Sequence, residues 1–174
     1  MPHITSGIVD VFPFRLRDGK VEFLVLQMNP KVKPIPLDKP IWQVVHGGIE
    51  PGEIAPEAAL REFGEETGLE PLAVYQLDDI HVQRIRKVRY PRYPRNDLPI
   101  HQKSKEDWID LTVVFAIQCD EQAQPTLSPE HVDFKWLERK DAERHLRFAA
   151  HRRALREIES GFQEYDFDNL WRIR

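Results

Sequence analysis

The chain has a single cysteine, Cys119, and it lacks any long apolar run. One cysteine cannot form an internal disulfide, which fits a protein of the reducing cytosol. No apolar stretch approaches the roughly 20 residues that a membrane-spanning helix needs. The first ten residues lack the basic stretch and apolar segment of a secretory signal. These absences predict a cytoplasmic protein without a membrane segment, in which Cys119 is a buried packing residue rather than a nucleophile.

An excess of positive charge is also missing. The formal net charge is −4, so the charge balance gives no general case for nucleic-acid binding. The 174 residues are 41% hydrophobic and 31% charged, which is ordinary for a globular protein. This length suits one domain with enough chain to bury a sizeable core, and we therefore expect a single domain over residues 1–174.

Local patterns predict alternating strands and helices. Apolar residues cluster in two runs, 8–15 and 21–28, around an Asp-Gly hairpin signal at 18–19. Four prolines mark residues 29–40 as a loop. The run at 109–118 is apolar at its centre and predicts an internal strand. Short strands are further predicted at 41–45, 72–77 and 134–137, and helices at 139–145 and 148–161.

The stretch 47–69 contains the densest group of carboxylates. Glu62, Glu65 and Glu66 fall within five residues, and at about 100° per residue they share one face of a helix. Like charges at this spacing repel, so a chain keeps them most readily around a cation. Hard divalent ions with oxygen ligands, Mg²⁺ or Mn²⁺, are the natural candidates. Taken alone, the pattern also describes an acidic helix with a solvated face.

The flanking residues mark where this helix starts and stops. Pro56 suits the first turn, and Gly68 suits a left-handed residue just past the end. Gly64 in mid-helix costs about 1 kcal/mol relative to alanine, so we expect close packing there. An apolar stripe would anchor the opposite face to a core, and it comprises Ala59, Leu60, Phe63 and Thr67.

This segment resembles the signature of the Nudix hydrolase family. That signature is Gly, five residues, Glu, seven residues, Arg-Glu, an aliphatic, any residue, Glu-Glu, any residue, Gly, an aliphatic. Phe63 departs from it, because it is larger than the usual aliphatic residue. The matching positions are Gly47, Glu53, Arg61, Glu62, Glu65, Glu66, Gly68 and Leu69. The resemblance implies an α/β fold, an α/β/α sandwich around a mixed sheet, and hydrolysis of a phosphoanhydride with Mg²⁺ or Mn²⁺.

The resemblance also implies roles for the signature residues. Glu62 and Glu66 would bind the metal, with Glu65 joining them or polarising the attacking water. Arg61 would orient one of these carboxylates by a charge-assisted hydrogen bond, although an ordinary surface ion pair is the plainer interpretation. Glu53 would fix the turn and the helix start. In the turn before the helix, the backbone would meet the metal or the phosphates, and the residues concerned are His46, Gly47 and Gly48.

A closer similarity lies outside the signature. Trp42 and Gln43, with residues 127–137 (LSPEHVDFKWL), resemble the branch that contains bacterial dihydroneopterin triphosphate pyrophosphohydrolases. In that branch a further glutamate completes the metal site, and Glu130 occupies the matching place as a ligand or a water-orienting base. His131 is expected to be a supporting residue, since hard Mg²⁺ prefers oxygen. Trp42 would stack on a heterocycle and Gln43 would read its edge, although a core tryptophan fits equally well.

Residues 83–95 (QRIRKVRYPRYPR) form a basic and aromatic segment. Guanidinium groups bind phosphate bidentately, and tyrosine rings stack on bases. The segment therefore predicts contacts with a polyanionic, ring-bearing substrate through Arg84, Arg86, Arg89 and Tyr90. The alternative is a solvated loop or a loop that forms a homodimer.

Together these features predict a Mg²⁺- or Mn²⁺-dependent pyrophosphohydrolase. Its expected substrate is a nucleoside- or pterin-type triphosphate, cleaved to a monophosphate and pyrophosphate. Within the family, the alternatives are a dinucleoside polyphosphate, an RNA 5′ end, and ADP-ribose or a nucleotide sugar. From another class, the chain could be a non-catalytic nucleotide sensor, but such a binder has no need of the full carboxylate cluster. The expected partner is a small phosphoanhydride, with nucleic acid only as an RNA 5′ end.

Overall fold

The computed structural model describes residues 3–32, 40–85, 108–164 and 167–174. Within these ranges the chain forms seven strands and four helices. The strands are β1 (His3–Arg17), β2 (Lys20–Met28), β3 (Trp42–Gln43), β4 (Val45–Gly48), β5 (Ala73–Ile85), β6 (Trp108–Gln118) and β7 (His131–Glu138). The helices are α1 (Ala55–Thr67), α2 (Arg139–His145), α3 (Ala149–Glu164) and α4 (Phe167–Trp171). None of these helices is long and apolar enough to cross a membrane.

The predicted hairpin joins β1 to β2. Asp18 and Gly19 have φ values of 49° and 74°, and Arg17 pairs with Lys20 across the turn. Two central residues with positive φ form the tight turn that matches the right-handed twist of antiparallel strands. The Asp-Gly signal is therefore confirmed.

The strands form one mixed sheet in the order β3-β2-β1-β6-β5, with β4 paired to β1 and β7 paired to β2. β6 runs parallel to β1 and antiparallel to β5. It is therefore an internal strand, as its apolar centre predicts. Cys119, directly after β6, is only 2% exposed, and burial raises the pKa of its thiol to about 12. The prediction of a buried cysteine is confirmed, and the raised pKa disfavours the thiolate form that a nucleophile needs.

Helices cover both faces of this sheet, because successive strand residues point to opposite sides. On one face, Val9 and Val11 of β1 pack in the same core cluster as Phe63 of α1. On the other face, Phe12 and Phe14 pack in a second cluster that contains residues of α2, α3 and α4. The α/β/α sandwich is therefore confirmed. We refer below to the α1 face and the α3 face of the sheet.

Several predicted boundaries are wrong where strands pair with distant partners. The strand expected at 41–45 is divided into β3 and β4, because β3 pairs with β2 while β4 pairs with β1. The strand expected at 72–77 continues to Ile85, since it pairs along β6. The strand expected at 134–137 begins at His131, where it meets Met28. Of the proline-rich loop at 29–40, residues 33–39 lie outside the described residues.

Candidate active site

Helix α1 carries most of the predicted site, and its ends are set by local interactions. The Glu57 carboxylate accepts a hydrogen bond from the Ile54 N–H at 3.1 Å, and Pro56 lies in the first turn. Gly68 adopts φ 63° after the last turn, and its N–H donates to Gly64 O at 2.8 Å. Both end signals are confirmed. The expected close packing at Gly64 is wrong, because a Cβ atom there would meet no heavy atom of the described residues within 4 Å.

The Arg61 side chain joins the turn before α1 to the carboxylates on it. Its Nε and Nη2 donate to the two carboxylate oxygens of Glu53, each at 2.9 Å. Nη2 also donates to Gly48 O at 2.7 Å, and Nη1 donates to Glu62 Oε1 at 2.8 Å. Nη1 lies 3.4 Å from Glu65 Oε2. The planar guanidinium thus holds β4, the turn and the helix in one arrangement.

Glu53 belongs to this framework. One of its oxygens also accepts the Glu50 N–H at 2.9 Å. The hydrogen bond from Arg61, followed by that from the Glu50 N–H, lowers the pKa of Glu53. The hydrogen bond with Glu53 is in turn the largest contribution that raises the pKa of Arg61. Both groups therefore stay charged, as the expected turn-fixing role of Glu53 requires.

Glu62 lies directly against Gly47. A Cβ atom added to Gly47 would be 1.8 Å from Glu62 Cδ, which no side chain tolerates. The glycine is thus needed for close approach of a side chain rather than for a left-handed backbone, because Gly47 is not among the residues with positive φ. The carboxylate of Glu62 therefore lies against the backbone of the turn that precedes α1.

The three clustered carboxylates of α1 have different surroundings. The Glu65 side chain is 62% exposed and the Glu62 side chain is 15% exposed. Glu66 is buried, with 5% of the residue exposed. Its Oε2 lies 3.7 Å from Nε2 of His131. The carboxylates of α1 therefore range from exposed to buried, and the buried one lies beside the start of β7.

The loop between β6 and β7 is attached to the end of α1 by its backbone. The Thr126 N–H donates to Thr67 O at 2.7 Å. The Ser128 N–H lies 3.3 Å from Glu66 O. Glu130 is half-buried in the following turn, and its carbonyl accepts the Asn29 N–H at 2.7 Å. Glu130 thus directly precedes the residue that approaches Glu66.

His131 is a site residue whose contacts could not be found from the sequence. It is buried, and its Nε2 lies 3.1 Å from Nε2 of Gln43 as well as near Glu66. Its Nδ1 lies 3.5 Å from Ser128 Oγ. Gln43, Glu66 and His131 are far apart in sequence, so no spacing rule brings them together. The structure places Gln43 at the buried end of the carboxylate group.

Trp42 and Gln43 lie on opposite faces of the sheet, as neighbours on a strand do. Trp42 packs against the core cluster of the α3 face. Lys135 Nζ lies 4.6 Å from the centroid of its ring, and the His145 ring meets it edge-on at 5.4 Å. The structure therefore does not bring Trp42 and Gln43 together on one surface, and the stacking role of Trp42 stays a prediction.

The His46 side chain also lies on the α3 face of the sheet. Its Nδ1 lies 2.6 Å from Asp10 Oδ1, while the next residue, Gly47, lies against Glu62 of α1. Gly48 takes part in the site through its carbonyl, which Arg61 contacts. The predicted substrate contact of His46 stays a prediction, and its ring is not grouped with the carboxylates of α1.

Only the beginning of the basic segment is described. Arg84 lies in β5 and its backbone pairs with Ile109, so residues 83–85 belong to a strand and the alternative of a loop is wrong for them. Pairing along β6 extends the strand beyond its apolar part. Arg86, Arg89 and Tyr90 lie outside the described residues.

The donor set of the α1 cluster fits a hard divalent cation. The carboxylates of Glu62, Glu65 and Glu66 and the carbonyl of Gly47 offer only oxygen, which Mg²⁺ and Mn²⁺ prefer. Arg61 contacts Glu53 as well as Glu62 and Glu65, so its single positive charge leaves the group of carboxylates anionic.

Comparison with known proteins agrees with this geometry. The sequence matches the NUDIX domain family over residues 3–158. It is 32% identical over 102 residues to the dihydroneopterin triphosphate diphosphatase of Escherichia coli K12, a match that covers 58% of this chain and 63% of that protein. It is 33% identical over 125 residues to the RNA pyrophosphohydrolase of Legionella pneumophila strain Corby, covering 68% of this chain and 69% of that protein.

A solved structure has the same fold over almost the whole chain. A Listeria monocytogenes protein described as a NUDIX hydrolase superposes with a TM-score of 0.66 at 26% identity. The superposition covers 96% of this chain and 98% of the other. The family match includes the turn before α1, all of α1 and the Glu130 turn.

Proposed function

The chain belongs to the NUDIX family, and from this premise we propose that it is a divalent-metal-dependent pyrophosphohydrolase. The proposed substrate is a nucleoside- or pterin-type triphosphate, and the proposed products are a monophosphate and pyrophosphate. The similarity to a protein named dihydroneopterin triphosphate diphosphatase supports this substrate class. Because the match spans 63% of that protein's length, the substrate is inferred from the site as much as from the relative.

The observation that carries the proposal is the fixed position of Glu62. Arg61 is held by Glu53 and Gly48, and it donates to Glu62 Oε1 at 2.8 Å while Glu62 lies against Gly47. A charged group that is already in place needs no reorganisation when the substrate binds, and such preorganisation is a main source of catalysis. A protein that only binds nucleotides has no need of this arrangement.

We assign the metal ligands to the oxygen donors of the same cluster. Glu62, Glu65, Glu66, Glu130 and the carbonyl of Gly47 would hold Mg²⁺ or Mn²⁺, and NUDIX enzymes generally use divalent metals. When bound, such an ion neutralises phosphate charge and lowers the pKa of a coordinated water. Glu65 is the most exposed of the carboxylates, which suits contact with that water or with a loosely held ion.

His131 would position Glu66 rather than contact the substrate. It lies 3.7 Å from the Glu66 carboxylate, and Gln43 and Ser128 approach its two ring nitrogens. A buried carboxylate is stable in its charged form only beside donors or positive charge. An imidazole held in this way contributes to that environment, and a divalent cation would contribute more.

The remaining contacts are assigned by the chemistry of the substrate. The Gln43 amide, although close to His131, keeps further donor and acceptor atoms for the edge of a ring. Arg84, Arg86 and Arg89 would contact phosphates, and Tyr90 would stack on the ring. Screening by salt should then weaken binding of the triphosphate.

Hydrolysis of candidate triphosphates in ¹⁸O-labelled water with Mg²⁺ tests the proposal. We expect pyrophosphate and a monophosphate as the first products, label in only one of them, and loss of activity in EDTA. Inorganic phosphate as the first product, or full activity in EDTA, would contradict a metal-dependent pyrophosphohydrolase.

An RNA 5′ end is the second candidate substrate, because 33% identity to an RNA pyrophosphohydrolase extends over 68% of this chain. The same assay separates the two substrates. A 5′-triphosphorylated oligonucleotide preferred over every free triphosphate by more than about tenfold in kcat/KM, roughly 1.4 kcal/mol, would establish the RNA substrate.

A further inference from the structure

A second group of metal-binding side chains lies on the α3 face of the sheet. At its centre is Asp10 of β1, whose Oδ2 lies 2.7 Å from His81 Nδ1 and 3.2 Å from His151 Nε2. The other oxygen, Oδ1, lies 2.6 Å from His46 Nδ1. These side chains come from β1, β5, α3 and β4, so they come together only in the folded protein.

The group is buried on all sides but one. Asp10, His81 and His151 are 3%, 5% and 8% exposed, whereas the His46 side chain is 42% exposed. Phe12 meets the rings of His81 and His151 edge-on, with centroids at 6.2 and 5.7 Å. The imidazoles are therefore held in place by packing, and His46 lies on the side open to solvent.

The surroundings of this group are anionic. Burial alone would raise the pKa of Asp10, but hydrogen bonds from His151, His46 and His81 outweigh it and hold that pKa well below its usual value. Asp79 Oδ2 lies 3.7 Å from His81 Nε2. Burial, followed by the charges of Asp79 and Asp78, raises the pKa of nearby Glu157. Asp10 and Asp79 thus place carboxylates beside the imidazoles, which favours a cation among them.

We propose that Asp10 Oδ2, His81 Nδ1 and His151 Nε2 form a second metal site, separate from the α1 carboxylates and suited to Zn²⁺ or a similar transition metal. The three atoms lie within 4.8 Å of one another. Two imidazole nitrogens and one carboxylate oxygen are ligands that Zn²⁺ favours. The all-oxygen cluster on α1 instead suits Mg²⁺, so the two sites differ in the ions they select.

Metal binding would require the three ligating side chains to shift from their present hydrogen-bonded positions. With metal–ligand distances of about 2.0–2.1 Å, tetrahedral ligand atoms are about 3.3 Å apart. The two contacts to Asp10 Oδ2, at 2.7 and 3.2 Å, would open by about 0.6 and 0.1 Å. The two imidazole nitrogens, which lie within 4.8 Å of each other, would settle at the same spacing.

Each ligating nitrogen must also be free of its proton. When Nδ1 of His81 coordinates the metal, its proton moves to Nε2, which lies 3.7 Å from Asp79 Oδ2 and would hydrogen-bond to it after a small shift of that carboxylate. An imidazole that donates to a carboxylate behind it is the usual outer support of a zinc ligand. His46 supports the site in a related way, because it holds the other oxygen of Asp10.

Metal binding here would join α3 to the centre of the sheet. It would also fix the carboxylate that orients His46, the residue before Gly47. The same four side chains without a metal form a hydrogen-bonded cluster of one carboxylate and three imidazoles. The two cases differ in one measurable property, which is high-affinity binding of a transition metal in the presence of Mg²⁺.

The chelator-treated protein is titrated with Co²⁺ and with Zn²⁺ in millimolar Mg²⁺, which would occupy the proposed oxygen site on α1. We expect one equivalent of Co²⁺ with the intense visible absorption of a four-coordinate ion, displaced by Zn²⁺. X-ray absorption of the zinc form should show two imidazoles in the first shell. Less than one equivalent bound at micromolar protein, or a six-coordinate spectrum without imidazole, would overturn the proposal.

Variants locate the site independently of activity. His81→Gln and His151→Gln should each weaken the Kd for Co²⁺ by at least about a hundredfold, because loss of even an outer-shell partner costs about 10–100-fold. His145→Gln, whose ring lies beside Trp42, should bind Co²⁺ like wild type. Glu66→Gln should also keep the Co²⁺ site, which separates this proposal from the proposed function.

Circular dichroism of the metal-free variants checks that they fold. Zn²⁺ should raise the Tm of the wild type and of His145→Gln but not that of the two ligand variants. Wild-type affinity in both folded ligand variants would overturn the assignment of the ligands.

Discussion

Glu62 occupies the space that a side chain at Gly47 would need, with Cδ 1.8 Å from the position of the missing Cβ atom. Gly47→Ala should therefore displace Glu62 from its contact with Arg61 and lower kcat by at least about tenfold, roughly 1.4 kcal/mol of barrier. Steady-state kinetics with saturating Mg²⁺ measures the effect.

Gly64→Ala is the matched control for this substitution. It adds the same methyl group on α1 where the described residues leave 4 Å of open space. It should keep the wild-type kcat and raise the free energy of unfolding by up to about 1 kcal/mol, since alanine is the better helix former. Equal activity of Gly47→Ala and Gly64→Ala would show that the position of Glu62 does not matter.

Arg61→Lys tests whether the fork of the guanidinium, rather than its charge, organises the site. Lysine keeps the charge but cannot contact Glu53, Glu62 and Gly48 together. We expect kcat to fall by at least about tenfold.

Arg139→Lys is the control for the loss of an arginine fork. Arg139 pairs with Glu143 and Glu159 on α2 and α3, and its side chain is 23% exposed, compared with 24% for Arg61. The kcat of Arg139→Lys should equal that of the wild type. Similar kcat values for the two lysine variants would show that Arg61 forms only an ordinary surface ion pair and does not organise the site.

Glu130→Gln should lower kcat strongly and leave substrate binding nearly unchanged, as expected for a group that acts in the transition state. Glu121→Gln, an exposed position in the same loop, serves as control. Substrate affinity is measured separately from turnover by equilibrium binding in Ca²⁺. Unchanged turnover in Glu130→Gln would show that Glu130 has no role in catalysis.

The ion pairs of Glu143 should make the free energy of unfolding decrease at acidic pH. Hydrogen bonds from Arg156 and then Arg139 lower its pKa from 4.5 to about 2. Because the folded pKa is the lower one, the stabilisation is present above about pH 4.5 and is lost as the pH falls towards 2. The Tm difference between wild type and Glu143→Gln should therefore shrink over this range. A constant difference would contradict the ion pairs.

Sequence patterns predicted those parts of the structure whose signals are local. The Asp18-Gly19 turn, the ends of α1 and the bounds of α2 depend on neighbouring residues, and the structure agrees with them. The extensions of β5 and β7 depend on pairing with distant strands, so apolar patterns ended them too early.

The same limit applies to the sites. The carboxylates of α1 share a helix, so their spacing placed them on one face, and the resemblance to the family signature suggested a metal site there. His131 approaches Glu66 and Gln43 from another strand, and Asp10 meets His81 and His151 from positions 71 and 141 residues away. No pattern within one segment indicates such clusters.

The carboxylates of α1 are proposed to hold the metal that supports hydrolysis. Glu66→Gln keeps the shape of a buried side chain and removes its charge, while Glu70→Gln makes the same change at an exposed position just beyond α1. The decisive measurement is kcat of the folded Glu66→Gln protein on the best triphosphate with saturating Mg²⁺. We predict a decrease of at least about a hundredfold relative to wild type and Glu70→Gln, roughly 3 kcal/mol of barrier. A wild-type kcat in Glu66→Gln would contradict the assignment of this cluster as the catalytic metal site.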